Sequence, residues 1–389
     1  MKKDNLLYVF ASQREYSYVN NNLMTVGAVG AETGENFRKI FPNMILVGRL
    51  GKNNQAKQKV SVKESHLMEL DLKSPKILLN FFLVSYRIFK LLKKVDFVIV
   101  RAGGLGTLVG LISIMMRKPT GVEVGGCVFN SLWNYGNILG KIFAYPSYFL
   151  RCFLLFKADK VQMVTQEYLQ KRYIFKSKIK NCVGISNVAI ENKPKYFLEE
   201  RIRKAFNNKI ILGSIGSFSG TFKGHEKAVE TCKILIDRGF DAELRILGAG
   251  DKTALRKEIE ERNLHHAVKL YDPVKPGSEV EDWLSKIDIY CQFSRREGVS
   301  RALIEAMNLS IPIVATDAGG TYELVDKRSI FPVDNCNKAS EIIQQLVKDK
   351  IFFNEMCTYS FYKAREFEKT KLDKKRNDFW YDFGRVTKK

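Results

Sequence analysis

The chain has 389 residues, of which 45% are hydrophobic and 27% charged. It is long enough for two domains, at about 100–200 residues each, and apolar enough to exclude intrinsic disorder. Seven scattered cysteines without Cys-x-x-Cys spacing argue against a disulfide framework or a zinc site and favour a reducing compartment. No uncharged apolar run approaches the ~20 residues that span a bilayer, and we interpret the amino terminus as a first strand.

Positive charge is distributed unevenly along the chain. The formal net charge is +22, from 64 Lys and Arg against 42 Asp and Glu. Residues 1–188 have 28 basic and 11 acidic side chains, residues 189–362 have 26 of each, and residues 363–389 have 10 and 5. The basic first half favours a phosphate-bearing partner, such as nucleic acid, an anionic lipid surface or a pyrophosphate-linked substrate.

Short apolar runs alternate with helical patterns throughout the first half, which is typical of a parallel sheet with crossover helices. The predicted strands are Leu6–Phe10, Met44–Val47, Phe97–Val100 and Val161–Thr165. The predicted helices are Pro75–Lys94, Gly106–Met116 and Gln166–Tyr173. Residues 129–157 are less regular and rich in aromatic side chains.

The same alternation is clearer in the second half. The predicted strands are Lys209–Ile215, Glu243–Leu247, Val268–Tyr271, Ile287–Phe293, Ile311–Ala315 and Ser329–Val333. The predicted helices are Gly224–Arg238, Lys252–Asn263, Glu279–Ser285, Arg301–Leu309 and Lys338–Lys348. We therefore predict an α/β protein with two Rossmann-like domains, 1–188 and 189–362, which face each other across a cleft. Residues 363–389 are predicted to cross back to the first domain as a helix.

Four loops that contain glycine follow predicted strands of the second half, at residues 213–224, 247–251, 294–301 and 317–323. Ligands bind at the carboxyl ends of strands in open α/β sheets. Gly298 would let a ligand approach the backbone, the helix that follows offers unpaired N–H groups, and Lys223 adds a mobile positive charge. No single loop identifies a ligand by itself. Glu297 could also be a charged residue at a helix amino terminus, and Glu305 could be a helix residue that faces solvent. Together the loops predict a nucleotide-sugar or dinucleotide site.

Residues 209–325 resemble the donor-binding domain of the retaining GT-B glycosyltransferases of family 4. The hallmark of that family is a pair of glutamates separated by seven residues, here Glu297 and Glu305. The Lys223–Gly224 pair, the glycines at 248 and 250 and those at 319 and 320 follow in the family's order. Residues 132–188 are also similar to a bacterial polysaccharide-biosynthesis subgroup of the family.

Because the sequence has no DxD-type carboxylate cluster for a divalent ion, we expect metal-independent chemistry. The resemblance implies a hexosyl-type glycosyltransferase that retains the anomeric configuration. It implies that Glu297 contacts hydroxyls of the transferred sugar, Glu305 binds the ribose and Lys223 neutralises the diphosphate, with Glu297 and Lys223 as the catalytic pair. The donor-binding set implied is Gly216, Ser217, Lys223, Gly248, Gly250, Glu297, Gly298, Val299, Ser300, Arg301 and Glu305.

The chain departs from the family at two positions. Ser217 stands where many members have an arginine, and we expect Arg296 or Arg301 to substitute for it. Many members also have a histidine in the first domain, whereas none occurs at 101–130 here. We predict that Glu123, Gly125 and Gly126 line the acceptor cleft in that region.

The resemblance implies no cofactor, a UDP-linked sugar as donor, and a glycan or polyprenyl-pyrophosphate-linked glycan as acceptor. Residues 138–157 mix aromatic side chains with cations, which suits either a segment lying on an anionic membrane or a helix covering the core. We expect a cytoplasmic protein, peripheral on the inner face of the cell membrane, that acts in cell-surface polysaccharide biosynthesis.

Two other functions are compatible with the sequence. A nucleotide-sugar epimerase could use the same architecture without an acceptor. A nucleic-acid-binding protein would explain the positive charge, but the chain has no recognisable nucleic-acid module, and the two-glutamate loop would have no purpose. We therefore expect no nucleic-acid partner.

Overall fold

The computed structural model describes residues 8–19, 22–25, 36–51, 58–60, 64–68, 77–133, 138–173, 181–203, 209–381 and 383. The chain divides into two compact units by its internal contacts. One comprises Met1–Asn187 with Leu372–Lys389, and the other is Val188–Lys371. The segment that returns to the first unit thus begins at Leu372, whereas the sequence placed this change at residue 363.

Among the residues that the structure describes, the first unit is built on a nine-stranded sheet. Its strands are β1 (Tyr8–Val19), β2 (Asn22–Thr25), β3 (Met44–Leu50), β4 (Gln58–Lys59), β5 (Glu64–Met68), β6 (Phe97–Arg101), β7 (Thr120–Val124), β8 (Lys160–Met163) and β9 (Cys182–Gly184). Seven strands are parallel, in the order β5–β3–β1–β6–β7–β8–β9, and β2 and β4 add antiparallel pairs at the end of β1. This arrangement confirms the predicted parallel sheet.

Crossover helices connect these strands. They are α1 (Ile77–Leu92), α2 (Gly104–Met115), α3 (Val128–Trp133), α4 (Ile138–Lys157) and α5 (Tyr168–Tyr173). Helix α2 packs against both α1 and α4. A Cβ on Gly110 would lie 2.8 Å from Leu154 Cδ1 and 3.2 Å from Val100 Cγ2, so the glycine lets α2 approach both α4 and β6. The three long helices therefore cover the same face of the sheet.

Helix α4 occupies most of the segment whose sequence looked irregular. It is 20 residues long, and its length and composition would suffice to cross a membrane. In the structure it connects β7 to β8, and it buries Ala144, Leu154 and Leu155 against the unit. Arg151 is also buried. Pro146 lies inside this helix, and outward aromatic side chains replace the usual polar face. These two features hide its helical periodicity in the sequence.

In its described residues, 188–203 and 209–371, the second unit has a six-stranded, all-parallel sheet. Its strands are β10 (Lys209–Ile215), β11 (Asp241–Leu247), β12 (Val268–Tyr271), β13 (Ile289–Gln292), β14 (Ile313–Thr316) and β15 (Ile330–Phe331). Its helices are α6 (Tyr196–Arg203), α7 (His225–Asp237), α8 (Thr253–Glu261), α9 (Ser278–Ser285), α10 (Arg301–Asn308), α11 (Cys336–Lys348) and α12 (Lys350–Ala364). The strand order is β12–β11–β10–β13–β14–β15, which confirms a Rossmann-like domain.

The last helix, α13 (Lys369–Trp380), returns to the first unit. Trp380 is fully buried there, and its Nε1 donates a hydrogen bond to Gln162 Oε1 at 2.8 Å. A Cβ on Gly121 would lie 2.5 Å from the Trp380 ring, so glycine makes room for the indole. Trp380 belongs to the same buried cluster as Phe97 and Ile99. Since side chains alternate along β6, Trp380 lies on the face of the sheet opposite to α2.

Candidate active site

The centre of the second sheet is a topological switch point. Strand β10 lies between β11 and β13, so the chain moves to one side after β10 and to the other side after β13. The connections after these two central strands lead to opposite sides of the sheet, and at such a point α/β proteins bind ligands in a crevice at the carboxyl ends of the strands. The loops at 216–224 and 293–300 are the two that flank this crevice. Lys223 lies in one of them and Glu297 in the other.

Glycines hold the loop after β10 against the loop after β11. A Cβ on Gly248 would lie 1.8 Å from the carbonyl oxygen of Gly216, a distance that no side chain tolerates. Gly250 has φ +117, and a Cβ there would lie 2.6 Å from Ser219 Oγ. Ser217 Oγ accepts the N–H of Ser219 at 3.1 Å. The predicted positions 216, 217, 248 and 250 are thus brought together; Gly248 is buried in this contact, whereas Gly216 and Ser217 are half-buried and Gly250 is exposed.

Two further glycines hold the loop after β13. Gly224 has φ +65, and a Cβ on it would lie 2.1 Å from the carbonyl oxygen of Phe293. Gly319 has φ +62, and a Cβ on it would lie 1.9 Å from the carbonyl oxygen of Glu297. Left-handed backbone and a contact this close both require glycine. The glycines at 224 and 319 therefore fix the backbone that carries Glu297.

Lys223 and Glu297 form an ion pair within the crevice. Lys223 Nζ lies 2.6 Å from Glu297 Oε1, and Ser294 Oγ donates to the same oxygen at 2.8 Å. The two charged side chains are 21% and 12% exposed. Phe222 lies beside them, with Lys223 Nζ at 5.8 Å and the Arg296 guanidinium at 4.7 Å from the ring centroid. The carboxylate holds the ammonium in place, and a second cation lies on the adjacent ring.

The second glutamate of the motif lies on α10. Ser300 caps this helix, since its Oγ accepts the N–H of Leu303 at 3.4 Å. Arg301 Nη1 lies 4.0 Å from Glu305 Oε1, one turn along the same helix. Of the two arginines expected to compensate for Ser217, Arg301 thus lies by Glu305, whereas Arg296 is associated with Phe222 in the Lys223 loop. Gly298 and Val299 connect Glu297 to Ser300, the residue that caps this helix.

Arg295 is a structural residue of the site that the sequence did not reveal. Its guanidinium contacts Glu226 Oε1 at 2.5 Å and Asp334 Oδ1 at 2.8 Å, and its N–H donates to the carbonyl oxygen of Phe222 at 2.9 Å. These bonds join the loop after β13 to α7 and to the loop of Lys223. The sequence gives no signal of this role, because the partners Glu226 and Asp334 lie 69 and 39 positions from Arg295.

His225 is the second residue that the sequence left unassigned. It follows Gly224 as the first residue of α7, and its side chain is only 5% exposed. Burial lowers the pKa of His225 to about 4, so the imidazole is neutral at physiological pH. Its Nε2 lies 3.2 Å from where a Cβ on Gly216 would be. The neutral imidazole ring thus packs against the loop at Gly216.

The three predicted acceptor residues lie in the first unit, at the end of β7. Glu123 is fully buried, and its Oε1 accepts a hydrogen bond from Asn187 Nδ2. A buried carboxylate cannot contact an acceptor in this conformation, because β7 is a central strand covered on both faces. Gly125 and Gly126 are partly exposed, and a Cβ on Gly125 would lie 3.2 Å from Arg101 Nη2. Their contribution to an acceptor site stays a prediction.

Metal ligation has no support among the described residues. In that part of the chain no group of three or more His, Cys, Asp or Glu side chains could hold a metal ion. The crevice offers a cation, Lys223, at the place where a diphosphate would need neutralisation. Metal-independent chemistry nevertheless stays a prediction.

Comparison with known sequences connects this geometry to an enzyme family. Residues 209–349 match the model of the family described as glycosyl transferases group 1. The protein CapJ of Staphylococcus aureus is 29% identical over 324 residues, which cover 81% of this chain and 80% of CapJ. The amylovoran biosynthesis glycosyltransferase AmsK of Erwinia amylovora is 30% identical over 151 residues, or 37% of this chain and 36% of AmsK.

Comparison with solved structures extends the similarity to the whole chain. The Anabaena protein Alr3699/HepE, crystallised in complex with UDP and glucose, superposes with a TM-score of 0.68 over 97% of this chain and 100% of its own, at 14% identity. The sucrose-phosphate synthase of Thermosynechococcus elongatus has a TM-score of 0.71 over 98% of this chain, at 12% identity. At these identities the likeness concerns the fold, and it includes both units.

Proposed function

We propose that this chain, whose residues 209–349 match the glycosyl transferases group 1 and whose fold is that of the GT-B enzymes, transfers a hexosyl group from a UDP-sugar to a growing glycan with retention of the anomeric configuration, as a member of family 4. The observation that carries the proposal is the Lys223–Glu297 pair at the switch point, whose Nζ and Oε1 atoms lie 2.6 Å apart between loops that glycines hold together. Positive charge and accessible backbone N–H groups suit a diphosphate, and a carboxylate beside them suits sugar hydroxyls.

Each proposed role follows from position. Lys223 would bind the diphosphate, helped by N–H groups at Gly298, Val299 and Ser300 where α10 begins. Glu297 would accept hydrogen bonds from the sugar that is transferred. Glu305, one helix turn beyond Arg301, would accept those of the ribose. The backbone of the two loops that the glycines at 216, 248 and 250 hold together would border the nucleoside.

The proposed mechanism proceeds on one face of the sugar. The bond between the anomeric carbon and the phosphate oxygen breaks, and the acceptor oxygen bonds to the same face of that carbon. The leaving phosphate takes the acceptor's proton. Lys223 and the loop N–H groups stabilise the negative charge that develops on the phosphate, and groups positioned in this way contribute about 3–4 kcal/mol each. No cofactor or metal takes part in this scheme.

The comparisons support particular substrates. Alr3699/HepE was crystallised with UDP, and AmsK is named for amylovoran biosynthesis, which supports a UDP-linked donor and a polysaccharide product. We propose a glycan or polyprenyl-pyrophosphate-linked glycan as acceptor. The pyrophosphate would suit the +17 charge of residues 1–188. The enzyme would then work in the cytoplasm, bound to the inner face of the cell membrane.

Donor binding and product stereochemistry test the proposal. UDP-, GDP- and ADP-sugars are screened by thermal shift, because a ligand that binds the folded state raises its melting temperature. We expect UDP-sugars to give the largest rise. The anomeric configuration of the product is then read by NMR after transfer to a soluble acceptor. A screen in which no nucleotide sugar raises the melting temperature would contradict the proposal, and an inverted product would contradict retention.

The same reagents distinguish the two alternatives. An epimerase would convert the donor to an isomer without acceptor, which chromatography of the nucleotide sugars would detect. A nucleic-acid-binding protein would give a salt-sensitive gel shift and no thermal shift with any nucleotide sugar. The family match and the relatives named above favour glycosyl transfer over both.

A further inference from the structure

The first unit exposes an apolar layer made by α1, α2 and α4, which we call the outer helical face. Its large apolar side chains include Phe81, Phe82 and Tyr86 on α1 and Ile142, Phe149 and Phe153 on α4. Met115, at the end of α2, is 81% exposed. Because α2 contacts both of the other helices, these side chains belong to one side of the unit. Aromatic residues this exposed on adjacent helices are unusual on a protein that meets only water.

These helices are apolar on both sides. Helix α1 buries Val84, Ile88 and Leu92 against the sheet and exposes Phe82 and Tyr86 on the other side. Helix α4 buries Leu154 and Leu155 and has a similar apolar exterior. A surface helix normally has a charged outer face, whereas a helix that is apolar all round contacts protein or lipid on every side. None of the three helices contains Asp or Glu.

Cations border the apolar layer. Crossover helices run antiparallel to the strands they connect, so the three helices end at the same edge of the sheet. A groove of about 740 Å³ at the end of α1 is lined by Arg87, Lys90, Lys93 and Lys94, together with His66 of β5. A second cavity, of about 300 Å³, lies between the ends of α2 and α4 and is lined by Arg117, Lys118 and Lys157, with Asp159 as its acidic member.

Aromatic rings and cations are in direct contact at this border. Lys90 Nζ lies 4.7 Å from the centroid of Tyr86, and Lys93 Nζ lies 4.8 Å from that of Phe89. Lys157 Nζ lies 5.4 Å from the centroid of Phe156. Rings with adjacent lysines match the interface of a bilayer, where the ring enters the acyl boundary and the ammonium reaches the phosphates.

We propose that the outer helical face docks on an anionic phospholipid bilayer, with the α1 and α4 aromatic side chains in the headgroup region and the two basic cavities holding lipid phosphates. A second copy of the chain is a poorer occupant, because a symmetric pair would bring two basic borders together. The inference deepens the proposed membrane location. It assigns α1 as well as α4 to the membrane-binding surface. It does not depend on the catalytic activity proposed for the second unit.

Sedimentation with vesicles tests the docking surface on the full chain without donor or acceptor. We expect strong binding to phosphatidylglycerol–phosphatidylcholine vesicles, weaker binding to phosphatidylcholine alone, and a decline with salt. The double variant Phe82→Ser, Tyr86→Ser, which changes side chains that are 67% and 56% exposed, should lower the partition coefficient at least tenfold. Lys90→Gln with Lys93→Gln should lower binding to the anionic vesicles about 30-fold.

The second unit offers matched controls. Ile351 and Tyr362 are 73% and 56% exposed, and the double variant Ile351→Ser, Tyr362→Ser should leave vesicle binding unchanged. Melting temperatures of all variants verify folding. The inference is wrong if the wild-type chain stays in the supernatant with anionic vesicles, or if the control variant loses as much binding. A concentration-dependent dimer that the α1 variant abolishes, without vesicle binding, would assign the face to a second copy. Failure of glycosyl transfer leaves these readouts unaffected.

Discussion

Replacing Lys223 by alanine tests the centre of the proposed site. In the structure its ammonium lies 2.6 Å from Glu297 Oε1, at the switch point of the second sheet. Without this cation the leaving diphosphate loses the ammonium placed nearest to Glu297 and keeps the loop N–H groups and the neighbouring Arg296. Loss of one positioned group of this kind costs about 3–4 kcal/mol in the transition state, so we expect turnover to fall 10²–10³-fold. The assay measures kcat for transfer from the donor that the thermal-shift screen selects.

The same change should affect stability to a smaller extent. In the alanine variant the Glu297 carboxylate, whose side chain is 12% exposed, loses its ion pair with Lys223. It keeps the hydrogen bond that Ser294 Oγ donates. Removing one partner of a fully buried pair costs about 3–5 kcal/mol, and since this pair retains some solvent we expect about 1–2 kcal/mol. Urea unfolding of the wild type and the variant gives this difference directly.

Lys227 provides the matched control. It lies one turn along α7 and forms a comparable ion pair, with its Nζ 2.8 Å from Glu230 Oε2, outside the crevice. Lys227→Ala should leave kcat unchanged and cost about 0.5 kcal/mol or less, as is usual for helix-surface pairs. The reasoning is refuted if Lys223→Ala retains wild-type turnover, or if Lys227→Ala loses as much. Lys223→Arg, which keeps the charge, should recover part of the activity.

Three further outcomes follow from the geometry of the second unit. Glu305→Ala should weaken nucleoside diphosphate binding at least tenfold, measured by titration calorimetry, without unfolding the protein. A variant that binds with the wild-type affinity would show that Glu305 does not bind the ribose. Gly248→Ala would place a Cβ 1.8 Å from the Gly216 carbonyl oxygen, and we expect a loss of about 2 kcal/mol or more with weaker donor binding, measured by urea unfolding and calorimetry. The folded-state pKa of His225 is about 4 against 6.5 for a free histidine, so its unfolded form binds a proton between these values that the folded form does not. Stability should therefore fall by about 2 kcal/mol on going from pH 7 to pH 5, and His225→Gln should lack this part of the pH dependence in parallel urea titrations.

The sequence predicted the regular parts of the fold well. Strands Lys209–Ile215 and Val268–Tyr271 have the bounds that their apolar patterns indicated, and the parallel α/β architecture is confirmed. It missed the short strands β2, β4, β5 and β9 and the helices α3, α6 and α12, and for residues 138–157 it left open a helix covering the core or a segment lying on a membrane. Short edge strands have too few residues for a period to appear. Helix α4 lacks a polar face, which is the feature by which a surface helix is recognised in sequence.

The sequence alone identified the candidate site residues. Glycine turns after parallel strands and two glutamates at a fixed spacing are local patterns, so they can be recognised without the tertiary structure. Which of these residues meet was decided only by the tertiary structure. The reversal of strand order between β10 and β13 brings Lys223 to Glu297 across 74 positions of sequence. Packing of the first unit buries Glu123 on its central strand β7, and packing of the second unit places His225 against the Gly216 loop. Burial and long-range pairing depend on how whole elements pack, and no single segment contains that information.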